Sequence, residues 1–164
     1  PDLILDLTEN FSDRLSIFIL GAGDPAIQSR VKMLVDQQIE NFDVFFGYDE
    51  NLAHWLYASA DFLLMPSRVE PCGLNQLYAM KYGTLPIVHR VGGLKDTVID
   101  LENDGYGVGF DTLEIAEIRK AIIRAAEYYE DRPKFECNQH KIMSLDFSWD
   151  KSAAKYISLY NQLI

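Results

Sequence analysis

The residues best equipped for chemistry lie between Asp61 and Gly83, in the stretch DFLLMPSRVEPCGLNQLYAMKYG. A carboxylate, Glu70, and a thiol, Cys72, stand there just ahead of Gly73, Leu74 and Asn75, where a helix is expected to begin at about Leu74. A carboxylate in such a loop can accept two sugar hydroxyls as charge-assisted hydrogen bonds. The backbone N–H groups of Gly73, Leu74 and Asn75 can hold a phosphate or hydroxyl oxygen. Residue type alone leaves a second reading of Glu70 open, because a negative charge at a helix start is worth about 0.3–1 kcal/mol in its own right. Cys72 as a nucleophile would need a base beside it. The histidines, His54, His89 and His140, are scattered along the chain, and no triad assembles around the thiol.

A second group precedes it. Gly21-Ala22-Gly23-Asp24-Pro25-Ala26 follows an apolar run and matches G-x-G-x-x-G/A, the dinucleotide pattern. Pro25 removes an N–H that a pyrophosphate would use, and Asp24 adds a negative charge at the same place. The motif therefore reads either as a tight strand-to-helix turn lining a cleft or as glycine backbone touching a ligand. A nucleotide-dependent oxidoreductase would rest on this motif alone. Tyr48 follows a strand end and Gly47, which puts its ring at the carboxyl edge of a sheet, as a stacking platform for a base or as partial core. Gly92-Gly93 reads as a plain turn or as a ligand-contacting loop, and His89 as a loop or core residue. No spacing of His, Cys, Asp or Glu suggests a metal site, and neither metal nor cofactor is expected.

These residues need a scaffold that brings strand ends together. Leu15–Leu20 is a continuous apolar run suited to a strand buried on both faces of a parallel sheet. Asp24 caps a helix over about 25–40, Pro25 being at its first position and Ile27, Val31, Leu34 and Val35 on its inner face. A strand over 42–46 leads to a helix over 49–60, its inward side formed by Leu52, Trp55, Leu56 and Ser59. Strands follow at 62–65 and 85–88, with a short helical turn after Gly92-Gly93 and a Gly-rich crossing over 105–109. Asp111-Thr112-Leu113-Glu114 has the form of a capping box, opening a helix with Ile115, Ile118, Ile122 and Ala125 inward. A helix over 133–143 comes next, then one capped by Ser148 with Ala153, Ile157, Tyr160 and Ile164 in register. Alternating strand and helix without repeats predicts an α/β fold, a Rossmann-like doubly wound parallel sheet with a helical C-terminal tail, in one domain over residues 1–164.

A formal charge of −10 argues against nucleic acid or an anionic membrane as partner, and no apolar run is long enough to span a bilayer. Two cysteines, Cys72 and Cys137, make no disulfide framework, so a reducing cytoplasmic setting is expected. The chain opens Pro1-Asp2-Leu3-Ile4-Leu5, in what looks like the body of an amphipathic helix with Leu3, Leu5, Leu7 and Phe11 apolar. It reads as a piece of a longer protein.

Taken together, PSRVEPCGLNQLYAMKYGTLP (66–86) and VGGLKDTV (91–98) closely resemble the bacterial glycogen synthase and plant starch synthase family. LGAGD (20–24), GYDE (47–50), ADFLLMPSR (60–68) and DFSW (146–149) look like further landmarks of that family in the same order. The resemblance implies the carboxyl-terminal, nucleotide-sugar-binding half of a two-Rossmann-domain (GT-B) retaining glycosyltransferase. Such an enzyme moves glucose from ADP-glucose to the non-reducing end of an α-1,4-glucan.

By the same resemblance Glu70 holds the donor glucose through its hydroxyls, and the backbone at Cys72, Gly73 and Leu74 touches that sugar. Asn75 lies beside the distal phosphate, Tyr48 stacks on adenine, Gly21 and Gly23 line the nucleotide cleft, and Arg68 belongs to the matching loop. Related glycosyltransferases carry a second Glu eight residues after the first; here Tyr78 stands there, as in the glycogen and starch branch. The family's Arg and Lys for the diphosphate precede Pro1 in the family pattern, and the glucan acceptor binds through an N-terminal domain absent from this sequence. The isolated chain is expected to show no turnover and at best weak ADP binding. Other retaining glycosyltransferases and a non-catalytic nucleotide-sugar-binding module are the competing readings.

Overall fold

The computed structural model describes residues 15–37 and 41–163. In chain order these form β1 (Ile17–Gly21), α1 (Pro25–Asp36), β2 (Phe42–Phe46), α2 (Glu50–Ser59), β3 (Phe62–Met65), α3 (Asn75–Lys81), β4 (Leu85–His89) and α4 (Gly92–Thr97). A 3-10 turn (Leu101–Asn103), β5 (Val108–Phe110), α5 (Ile115–Glu130), α6 (Arg132–Met143) and α7 (Trp149–Gln162) complete them. The expected helix at Leu3–Phe11, the end of the helix expected to reach residue 40, and Ile164 lie outside the described residues.

Every strand pairing is parallel, as the βα alternation predicts. β1 pairs with β2, and β3, β4 and β5 pair in that order, so the described residues form two ladders. The second is the better buried. All five residues of β4 and all three of β5 are buried, because helices cover both faces. Ile87 packs with Val108, Phe110 and the inner face of α5, Ile118, Ala121, Ile122 and Ala125. Val88 packs with Leu94 and Val98 around α4, and Leu85 joins Met80, Phe135 and Ile142 from α3 and α6. Full burial of an aliphatic side chain is worth about 1.5–3 kcal/mol, so this layer dominates the core.

The first ladder is covered on one face. Ile17, Ile19, Phe42 and Val44 pack against Ile27, Val31, Leu34 and Val35 of α1. Phe18 points the other way and stays 41% exposed, because alternate residues of a strand face opposite sides. The run read as buried on both faces is therefore half-buried.

Two further expectations are corrected. On α2, Leu52 and Leu56 are half-buried as predicted, but Trp55 is 74% exposed and Ser59 is also exposed. Ala53 and Tyr57 share the inward side instead. The capping box does not form: α5 starts one turn later, with Glu114 at its cap and no side-chain cap bond. Asp111 is drawn off by Arg90, whose Nε donates to Oδ1 at 2.8 Å and whose terminal nitrogen pairs with Oδ2. On α7, capped by Ser148 as expected, Ala153, Ile157 and Tyr160 follow helical register and are exposed. An apolar stripe marks a face without saying what covers it.

Candidate functional site

Parallel pairing puts the carboxyl ends of the strands in each ladder on one edge, where ligands of open α/β sheets bind. After β3 the chain runs through residues 66–74 before α3. Glu70 in this loop is half-buried and held at both ends. Its Oε2 accepts a hydrogen bond from Ser67 Oγ at 3.1 Å, and its backbone oxygen accepts one from Gly93 N at 3.0 Å. Arg68, Cys72, Leu74 and Asn75 are exposed on the same loop and helix start, and Gly73 is half-buried. Leu74, at the cap of α3, makes no side-chain cap bond to the helix. These six candidates thus share one loop and the helix start that follows it.

The loop's shape is imposed by its neighbours. Gly73 has φ 72°, in the left-handed region where glycine carries no penalty. Gly92 and Gly93 press against the loop backbone so closely that a Cβ on Gly92 would stand 2.0 Å from Glu70 O, and one on Gly93 2.0 Å from Cys72 O. Gly92-Gly93, left open between turn and ligand loop, is in the structure the abutment of the Glu70 loop. His89, buried at 8% exposure, sits beneath the same loop, its Nδ1 2.7 Å from Ser67 O and its Nε2 3.2 Å from Asp111 O.

Gly21, Gly23 and Tyr48 gather on the other ladder. Gly21 lies opposite Phe46 in register, and Gly47 N donates to Gly21 O at 3.0 Å, which sets Tyr48 beside the 21–24 turn. Tyr48 is 88% exposed, so its ring lies on the surface and is not partial core. Asp24 caps α1 by accepting from Ala26 N at 2.7 Å and Ile27 N at 3.2 Å. Those are the N–H groups a pyrophosphate would take at a dinucleotide fingerprint, and Pro25 has none. The turn is thus self-satisfied, whereas the helix start after the Glu70 loop has no side-chain cap.

A buried charge missed at the sequence level stiffens the far side of β5. Asp100, with a side chain only 3% exposed, pairs with Arg124 at 2.6 Å and accepts from Glu102 N at 2.9 Å and Gly109 N at 2.6 Å. Burial acts to raise its pKa, but these backbone bonds and Arg124 outweigh burial and the net shift is downward. An isolated Asp after an Ile carries no sequence signal for such a role. Among the described residues no helix is long and apolar enough to cross a membrane.

The family model for glycosyl transferases group 1 matches residues 2–141. The chain is 47% identical over 160 residues to the glycogen synthase of Flavobacterium johnsoniae, covering 98% of this chain and 34% of that protein. It is 42% identical over 154 residues to glycogen synthase 2 of Agrobacterium fabrum, covering 90% of this chain and 30% of that one. Among solved structures, the catalytic domain of starch synthase IV from Arabidopsis thaliana bound to ADP and acarbose matches with a TM-score of 0.73 at 27% identity, over 96% of this chain and 42% of that one. The chain therefore spans about a third of the length of the curated relatives it matches. The resemblance carried by residues 66–98 is borne out over nearly the whole sequence, and with it the Rossmann-like half of a GT-B fold. The chain belongs to the group 1 glycosyl transferases.

Proposed function

We propose that the chain is the donor-binding half of an ADP-glucose-dependent glycogen or starch synthase. Its site holds the nucleotide sugar while a second domain presents the α-glucan. The observation that carries this reading is the tethering of Glu70 by Ser67 Oγ and Gly93 N, which fixes one carboxylate at the carboxyl edge of β3. Glu70 takes the glucose hydroxyls, the backbone of Cys72, Gly73 and Leu74 supports the same sugar, and Asn75 lies next to the distal phosphate. Gly21 and Gly23 line the nucleotide cleft, Tyr48 stacks on the adenine, and Arg68 belongs to the same wall.

In this reading Glu70 positions the sugar and does not attack it. The acceptor hydroxyl adds to the anomeric carbon on the face from which ADP departs, which retains the configuration, and its proton passes to the departing phosphate. Fixed donors around the diphosphate stabilise the charge that develops there, and closure of the two domains excludes water. No metal or cofactor is assigned a part. The exposed free thiols of Cys72 and Cys137 suit a reducing cytoplasm.

The test is Glu70→Ala in the full-length enzyme, with glucose transfer measured from labelled ADP-glucose. A loss of about 100-fold or more is expected for a group that orients the reacting sugar; a slight loss overturns the role. Titration with ADP-glucose, UDP-glucose and NAD discriminates the reaction class. NAD binding without ADP-glucose binding would favour the oxidoreductase reading, which the Asp24 cap opposes. Glucan elongation by the isolated chain would refute its expected inactivity.

A further inference from the structure

Gln76, in the first turn of α3, is the largest fully buried polar side chain among the described residues. Its Nε2 donates to Gly73 O at 2.9 Å, to Cys72 O at 3.2 Å and to Thr97 Oγ1 at 3.1 Å. Carbonyl oxygens only accept, so the nitrogen of this amide faces the loop. Thr97 Oγ1 in turn donates to Gly93 O at 2.6 Å, and Gly93 N donates to Glu70 O at 3.0 Å. The circuit Gln76–Thr97–Gly93–Glu70 joins α3 to α4 with the 70–73 backbone between them. Gln76 Oε1, by contrast, is buried and meets no donor. Met would fill the same space with no unmet acceptor of its own, but it would leave the Cys72 and Gly73 carbonyls without this donor. What Gln adds is its pair of N–H groups.

We infer that Gln76 is a positioning residue for the donor sugar, acting by fixing the peptide planes of Cys72–Gly73 and Gly73–Leu74. In a trans peptide the carbonyl and the following N–H point in opposite directions, and no described peptide is cis. With the Cys72 and Gly73 carbonyls drawn inward to Gln76, the N–H groups of Gly73 and Leu74 point outward, on the side away from the core. Gly73 has to be glycine for this arrangement: its φ is 72°, and a Cβ there would meet Gln76 Oε1 at 2.5 Å. Without the clamp either plane is free to flip and turn a carbonyl toward the sugar. The inference rests on the donor-site reading of this loop and extends it to a residue that never touches the ligand.

The test is Gln76→Met in the full-length enzyme, with ADP-glucose and ADP affinities, transfer kinetics and thermal midpoint measured together. The expected result is a loss of about tenfold or more in ADP-glucose affinity, ADP affinity within about twofold of wild type, and a midpoint lower by roughly a few degrees because two carbonyls lose their donor. Equal losses for both nucleotides, or wild-type affinity for ADP-glucose, would overturn it. Should Gln76→Met fail to fold, Thr97→Val cuts the circuit at its other end and is judged by the same selective loss. A wild-type enzyme that binds neither nucleotide refutes the donor-site reading. The clamp is then judged without ligand by amide hydrogen exchange, where unchanged protection of Gly93 N–H in the Met variant overturns it.

Discussion

Two strand-to-helix turns, at the carboxyl ends of β1 and β3, carry glycine and an acidic residue, and they are built in opposite ways. The turn after β1 is closed upon itself: Asp24 accepts from the first free N–H groups of α1, and a Cβ on Gly21 or Gly23 would meet nothing within 4 Å. The loop after β3 is held from outside. Gly92, Gly93, Gln76 and His89 fix its backbone, while its helix start receives no side-chain cap. A glycine motif therefore says little until it is known whether the space beside the glycine is empty or filled. The more familiar pattern, G-x-G-x-x-A, sits at the turn with the less occupied surroundings.

The contrast predicts a ranking of substitutions. Gly93→Ala has the largest expected effect, because its Cβ would collide with Cys72 O and neither backbone can retreat cheaply. A loss of about 3 kcal/mol in chemical denaturation is expected, and a value near zero would mean that the loop is not braced there. Arg124→Met comes next and tests the same braced half. It leaves Asp100 buried with only its backbone donors and should cost about 2 kcal/mol. The Asp100 pKa is lowered on folding, so its contribution is present above the unfolded value and lost as pH falls through the folded one. Stability of the wild type should decline below about pH 4 more steeply than that of Asp100→Asn, measured by urea denaturation across pH.

Smaller effects belong to the self-contained turn. Asp24→Ala removes a helix cap and should cost about 1 kcal/mol of stability. Gly21→Ala and Gly23→Ala, at positions with no positive φ and open space, should be neutral or stabilising by up to about 1 kcal/mol. Destabilisation of either alanine variant by more than Asp24→Ala would break the comparison.

Much of the scaffold was legible because period and punctuation act locally. β2 and β3 fall on their expected residues. Asp24 and Ser148 cap as their positions predict, since an N-cap needs only its own helix. The misreadings share a cause. Asp111 has the right spacing to cap α5, but Arg90, from a neighbouring strand end, competes for it with a bidentate pair. Trp55 follows helical period yet lies exposed, because amphipathic spacing specifies a face and not its partner.

The candidate site divides along the same line. The amino-acid sequence by itself placed Glu70, Cys72, Gly73, Leu74 and Asn75 between a buried strand and a helix, a statement about neighbours in the chain for which spacing is enough. The resemblance of EPCGLNQLYAMKYGT to the glycogen and starch synthase family implied a nucleotide-sugar transferase. Only the tertiary structure set Gly92 and Gly93 against the backbone of residues 70–72, aimed the Gln76 amide at two carbonyls, and brought His89 under Ser67. Each of these pairings except Gln76 with its own loop spans a stretch of chain that doubles back through β4. Close approach across such a return depends on how layers pack, and no local pattern encodes it.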